Sequence, residues 1–194
     1  MDFQGWEERY RVPRADFRRG PVPWLEEQAP LLPPGRALDL AMGEGRNSVF
    51  LARRGYRVTG IDRSPTAVGR ARAWAAEEGL ELRALVGDLE RGSLPPGPFE
   101  VVVVTRYLQR SLFGPIQEAL APGGMLVYET FTRSHRGPGP VDPAHLLQPG
   151  ELRRAFEGLE VLLYRETDCP ERGQGVASLL ARKPPAAPGG DPGA

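Results

Sequence analysis

The sequence holds one cysteine, Cys169, and one lysine, Lys183, among 194 residues. A lone cysteine excludes an internal disulfide framework and suits a reducing compartment. No nucleophile motif surrounds Cys169. There is no run of eighteen apolar residues, so no transmembrane helix and no membrane partner are expected. The first twenty residues, "MDFQGWEERYRVPRADFRRG", lack the apolar stretch of a secretory signal, and a cytoplasmic location is expected. The formal charge is zero, with 25 basic and 25 acidic residues, so no whole-chain field favours nucleic acid. No metal-ligand spacing and no internal repeat is present. The near-absence of lysine beside 21 prolines and 24 glycines reads as genome composition rather than function.

What is present is an alternation of short apolar runs and amphipathic segments. Residues 1–35 are aromatic and charged, then broken by prolines, with "VPWLEEQAP" as one short helix ended by Pro30. Strands are expected over 36–42, 56–61, 80–86, 99–105 and 125–131, the fourth carrying the continuous apolar run of a strand covered on both faces. Helices alternate with them over 46–54, 65–78 and "FGPIQEALA", with Ser64 as N-cap, Pro65 at the first helical position and a "PGG" turn before strand five. After a long loop and the helix "PGELRRAFEG", the runs 159–166 and 176–183 are separated by nine residues. That is too few for a crossover, so they form an antiparallel hairpin. The expected architecture is a doubly wound α/β sheet of seven strands, mostly parallel, in one domain over 1–183. Residues 1–35 supply a lid and a lead-in helix, and residues 184–194 a disordered tail.

Ligands of such sheets sit at the carboxyl ends of the strands, where strand order reverses. There "GEGRNS" approximates the dinucleotide fingerprint, with Ser48 at its third glycine. Asp39 lies four residues before Gly43. A carboxylate there repels a pyrophosphate and attracts a ligand whose nearby part is cationic. Asp62 ends strand two, where a carboxylate accepts ribose hydroxyls, and Asp88 ends strand three, where it accepts from an exocyclic amine. Together they suit a neutral nucleoside with a cationic tail. Singly they have plainer readings, Asp39 as a cap for backbone N–H groups and Asp62 as a cap for the helix beginning at Ser64.

"LDLAMGEGR", "GID" and "GDLE", in this order, resemble the motifs of class I S-adenosylmethionine-dependent methyltransferases, over about residues 36–183. "GEGRNSVFLARRG" and "LLQPGELRRAF" look most like the small members related to tellurite-resistance proteins. Met42 stands where those relatives often have a smaller residue. The resemblance implies a Rossmann-like methyltransferase fold and S-adenosylmethionine as cofactor. It places Asp39, Ala41, Gly43, Gly45, Arg46, Asn47, Asp62, Arg63, Asp88, Leu89 and Thr105 around that cofactor.

Methyl transfer from a sulfonium is an in-line displacement with a good leaving group, so orientation and exclusion of water are the main tasks. No catalytic dyad is evident. Candidate catalytic residues are Arg106, Tyr107 and His135. Candidate acceptor contacts are Tyr10, Arg106, Tyr107, Arg110, Arg133, His135 and Arg172, with Arg136 nearby and Trp6 arriving with Tyr10 on a lid. The plainer readings are a solvated loop histidine, tyrosines that only pack, and ordinary surface arginines. Several arginines near one edge favour a small anionic acceptor, such as a tellurite- or selenite-like species or another soft nucleophile. No "NPPY" sequence follows strand four and no RNA-binding module is appended, so a small molecule is expected rather than nucleic acid. The competing functions are a catalytically silent S-adenosylmethionine-binding protein and an NAD-dependent oxidoreductase, the latter opposed by Asp39 and Ser48.

Overall fold

The structure is a computed structural model that describes residues 3–12, 20–137, 142–169 and 173–186. Its strands are β1 (Arg36–Leu40), β2 (Arg57–Asp62), β3 (Leu82–Val86), β4 (Phe99–Thr105), β5 (Leu120–Phe131), β6 (Glu160–Cys169) and β7 (Gln174–Arg182). They form one seven-stranded sheet in the order β3-β2-β1-β4-β5-β7-β6. β1 to β5 run parallel, and β7 runs antiparallel to both β5 and β6. The strand order reverses between β1 and β4, which sets the ligand crevice at the carboxyl ends of these two strands.

The helices are α1 (Phe3–Arg11), α2 (Pro23–Gln28), α3 (Arg46–Arg53), α4 (Pro65–Glu77), α5 (Phe113–Ala119) and α6 (Glu151–Ala155). α4 starts as expected, with Ser64 Oγ accepting from Ala67 N (3.1 Å) and Pro65 following. Gly79, at φ +66°, stops it. On one face of the sheet Leu38, Val102, Leu126 and Tyr128 pack against Ile116 of α5 and Leu152 and Phe156 of the α6 segment. On the other, Ala37, Val103 and Val127 pack against Trp24 and Leu25 of α2 and Leu51 of α3. Trp24 is 3% exposed. It donates to Leu179 O (3.3 Å) and lies under the Arg165 guanidinium at 4.4 Å. Burying such a side chain stabilises the fold by about 2–3 kcal/mol.

Four local expectations are revised. Pro30 does not end the lead-in helix. It sits inside a 3-10 turn, Ala29–Leu31, that extends α2. The "PGG" segment is not a turn ahead of strand five but a bulge within it. Phe99 pairs with Leu120 and Val101 with Met125, so residues 121–124 are accommodated between the two pairs. Gly123 takes φ +77° there. α6 is one short turn, Glu151–Ala155, rather than a helix through Gly158. Both hairpin strands run further into the loop, so Cys169 is the last residue of β6. The last eight residues of the tail lie outside the described residues.

Candidate functional site

The chain leaves β1 through a tight turn that folds back on β2. Ala41 adopts φ +55°, uncommon for a residue with a Cβ, and Gly43 and Gly45 follow at φ +56° and +87°. Met42 N donates to Ile61 O (3.0 Å) and Gly43 N to Asp62 Oδ2 (2.8 Å). The Met42 thioether lies across Gly60, in space a side chain on β2 would fill. That accounts for a long residue at position 42. Gly45 is packed against α4, where a Cβ would meet Ala71 Cβ at 2.8 Å. Gly43 instead faces the Tyr10 hydroxyl, 2.9 Å from where a Cβ would stand. The two glycines therefore do different work: Gly45 closes the packing against α4 and Gly43 lets Tyr10 of α1 come close to the turn.

Asp39 is wholly buried. Its Oδ2 accepts from Ser48 Oγ at 2.6 Å, while Oδ1 accepts from no described group. The residue at the third glycine position thus has a function the motif comparison did not supply: its hydroxyl aims the carboxylate. Burial pushes the Asp39 carboxyl up to about 7, the Ser48 hydrogen bond opposing and the Asp62 charge adding to the rise. The Ser48 backbone N–H also favours the charged form of Asp39. Asp62, 6% exposed, caps backbone N–H groups: Oδ1 accepts from Ser64 N (2.9 Å) and Oδ2 from Gly43 N. Burial raises its pKa, and these N–H groups restrain the rise. Each oxygen keeps a further lone pair, so capping and ribose recognition are compatible.

Further along the edge, Asp88 Oδ1 accepts from Glu90 N (2.9 Å), and Arg63 pairs with Glu90 (3.4 Å). Leu89 is buried in the main core, so its side chain packs rather than lining the crevice. Asn47 is revised likewise. Its Oδ1 accepts from Val22 N (3.0 Å) and its Nδ2 donates to Thr105 Oγ1 (2.9 Å), pinning the lead-in segment to α3 and β4. Arg46 stands close enough to Asp39 to favour its charged form.

On the acceptor side, Arg106 has φ +55° and an exposed side chain. It makes no side-chain hydrogen bond or ion pair among the described residues. Arg110 is not available to a substrate. It grips Glu151 through Nε (2.6 Å) and Nη2 (3.0 Å) and also donates to the carbonyls of Ala144 and Leu146. Tyr107 packs on the core, and burial together with the nearby Glu90 and Asp88 raises its pKa. The shift favours the neutral phenol. His135 is buried, not a solvated loop residue, and stacks on Phe131 with centroids 4.1 Å apart. Its Nδ1 accepts from Gly175 N (3.4 Å). Arg133 borders a separate cleft of about 230 Å³ with Ser134, Glu166 and Asp168. Arg136 donates to the carbonyls of Arg133 (2.6 Å) and His135 (2.9 Å). Arg172 and the side chain of Trp6 lie outside the described residues.

α1 crosses this edge. The Glu7 carboxylate accepts from Ser64 Oγ (2.5 Å) and from Thr66 Oγ1. The Ser64 hydrogen bond, then that of Thr66, lowers its pKa. Glu7 escaped the sequence reading because its partners are hydroxyls of a helix start sixty residues away. Glu129, also unmarked, does carry a signal: it is the one charged residue in "MLVYETF".

The strand order, the reversed β7 and the acidic strand ends define the Rossmann-like fold of the class I S-adenosylmethionine-dependent methyltransferases. Residues 37–124 match the methyltransferase domain family. The chain is 28% identical to hemagglutinin 1 of Eikenella corrodens, over 82% of this chain and 58% of that protein. It is 26% identical to the probable S-adenosyl-L-methionine-dependent methyltransferase TehB of Haemophilus influenzae, over 81% of this chain and 60% of that one. The crystal structure of Haemophilus influenzae TehB superposes with a TM-score of 0.71 at 21% identity, covering 92% of this chain and 65% of that chain. The chain spans at most about three fifths of the length of these curated relatives. In these matches the chain is similar to class I methyltransferase domains, TehB among them.

Proposed function

We propose that this chain transfers a methyl group from S-adenosylmethionine to a small-molecule acceptor. The observation that carries the reading is Asp39, a buried carboxylate with one oxygen turned to no protein donor, beside a glycine turn. A cationic ligand compensates that charge, and a pyrophosphate would oppose it. NAD is therefore disfavoured. When bound, S-adenosylmethionine supplies an electrophilic methyl group with a good leaving group. Asp39 faces its cationic end, Asp62 accepts from its ribose hydroxyls and Asp88 from its adenine amine. Tyr10 closes over the glycine turn and keeps water out. Arg106, uncommitted within the described residues, holds an anionic part of the acceptor.

Among the described residues no helix is long and apolar enough to cross a membrane. The reading includes no membrane or nucleic-acid partner and assigns the reaction to the cytoplasm, in keeping with the lone Cys169. The test is to incubate the protein with S-adenosylmethionine and a panel that includes tellurite, selenite, thiols, phenols and amines, following S-adenosylhomocysteine by mass spectrometry. Acceptor-dependent product is expected. Tight cofactor binding with no product from any acceptor would favour the silent binding protein instead.

A further inference from the structure

A polar row runs across the sheet from the carboxyl ends of β4 and β5 to the middle of the antiparallel β7. Thr105 pairs in register with Glu129, and Glu129 with Ser178. Side chains at paired positions share a face, and directly beneath this row lie Val103, Val127 and Leu180 of the apolar core. Thr105 is engaged by Asn47. Ser178, fully buried, donates its hydroxyl to Glu129 Oε2 at 2.8 Å. Glu129 is half-buried, has no cationic partner among the described residues, and its Oε1 neither accepts a hydrogen bond nor is sealed from solvent. A charged residue on a strand otherwise given to the core, oriented by a buried hydroxyl and left with one open oxygen, is costly to keep without a function.

Its place says what it faces. Adjacent strands are about 4.8 Å apart, so Glu129 stands about 10 Å across the sheet from the end of β1. The acidic strand ends place the nucleoside over β1 to β3, and Glu129 lies on the opposite side of the β1–β4 crevice. The Arg106 N–H donates to the Glu129 carbonyl (2.7 Å), which ties the strained residue after β4 to the same position.

We infer that Glu129 is the acceptor-binding carboxylate and proton acceptor of the methyl transfer, and that the methyl acceptor is a protonated heteroatom, a hydroxyl, thiol or amine, rather than a bare oxyanion. This inference rests on the methyltransferase reading above. The acceptor X–H donates to Glu129 Oε1. Its lone pair forms the bond to the methyl carbon, the carbon–sulfur bond breaks with its electron pair passing to sulfur, and the X–H proton passes to the carboxylate. A tellurite or selenite anion has nothing to gain from that carboxylate and is repelled by it.

The test compares wild type with Glu129→Gln, which keeps an oxygen for Ser178 but not the charge, and Glu129→Asp. Affinity for S-adenosylmethionine is measured first, by calorimetry. Each protein is then assayed with a catechol, an alkyl thiol, a primary amine, selenite and tellurite. The same acceptors are also titrated into protein loaded with S-adenosylhomocysteine. Turnover is expected with an X–H acceptor and not with the oxyanions. Glu129→Gln should lose at least about 100-fold in kcat, the scale of a general base, with cofactor affinity within about twofold of wild type. Glu129→Asp should recover part of the loss. Turnover confined to selenite or tellurite, no turnover of any X–H acceptor by a protein that binds the cofactor, or wild-type kcat in Glu129→Gln would each overturn the assignment. A wild-type protein that binds no S-adenosylmethionine would overturn the underlying methyltransferase reading, and the first measurement shows this before any acceptor is added.

Discussion

Replacing Asp39 with asparagine removes a buried charge and little else, because Ser48 can still donate to the amide oxygen. In the wild type the carboxyl is pushed from 3.8 to about 7 in the folded protein. Between those values the folded state keeps a proton that the unfolded chain releases. Wild-type stability therefore falls as pH rises from about 4 to about 7 and is level above, by about 4 kcal/mol in all. The Asp39→Asn protein has no such slope. Its stability relative to wild type should rise by several kcal/mol between pH 4 and pH 8, offset by a constant cost of about 1–3 kcal/mol for a buried amide N–H₂ without a partner. Cofactor binding moves the other way. A cationic ligand about 6 Å away interacts with the ionised carboxylate by about 3 kcal/mol at an effective dielectric near 20. Wild-type affinity for S-adenosylmethionine should therefore rise about tenfold per unit between about pH 5 and 7 and then level. Asp39→Asn should be flat and about 100-fold weaker at pH 8, with a smaller loss for S-adenosylhomocysteine, which lacks the sulfonium charge. Urea denaturation and calorimetry across pH 4.5–8.5 measure both. Parallel stability curves for the two proteins, or an Asp39→Asn protein with undiminished affinity at pH 8, would refute the reasoning.

The two turn glycines should separate experimentally. Both replacements strain a positive-φ position; Gly45→Val also meets backbone-fixed Ala71 and should lower stability the more, by several kcal/mol in urea denaturation, whereas Gly43→Val meets the movable Tyr10 side chain and should abolish cofactor binding while the far-ultraviolet circular dichroism stays native. Glu7→Gln should loosen α1 from Ser64 and Thr66 and speed cofactor release in stopped-flow. Because hydrogen bonds to the carboxylate lower the Glu7 pKa, the contact is present above the ordinary carboxylate range and lost as pH falls through the lowered value. An unchanged release rate in Glu7→Gln would show that α1 is not a latch.

The sheet was legible because each strand carries its apolar run and each helix its cap: Ser64 and Pro65 start α4, and the unbroken "VVVV" of β4 is buried on both faces. The acidic strand ends were legible for the same reason, since position in a strand fixes which end a residue occupies. Tertiary contacts without a local signal were not. Arg110 has the composition of a substrate-binding residue, and only the fold of the 142–151 segment onto it turns it into a clamp. Asn47 looked like a ligand contact until Val22, twenty-five residues earlier, was found on its side-chain oxygen. α1 is tied to the start of α4 by Glu7 on the hydroxyls of Ser64 and Thr66, which no hydrophobic pattern marks. Ser48 was read as a departure from a glycine motif, and its purpose lies nine residues back, on Asp39.

The account turns on what the strand ends bind, and the most direct measurement is a calorimetric titration of the wild-type protein and Asp62→Ala with S-adenosylmethionine, S-adenosylhomocysteine and NAD at pH 8. S-adenosylmethionine and its product should bind the wild type at one site per chain, and NAD should not bind. Asp62→Ala should lose about 1.5–3 kcal/mol of affinity for both sulfur ligands, the value of charge-assisted hydrogen bonds to ribose hydroxyls. Binding of NAD in place of S-adenosylmethionine, or unchanged affinity in a folded Asp62→Ala protein, would contradict it.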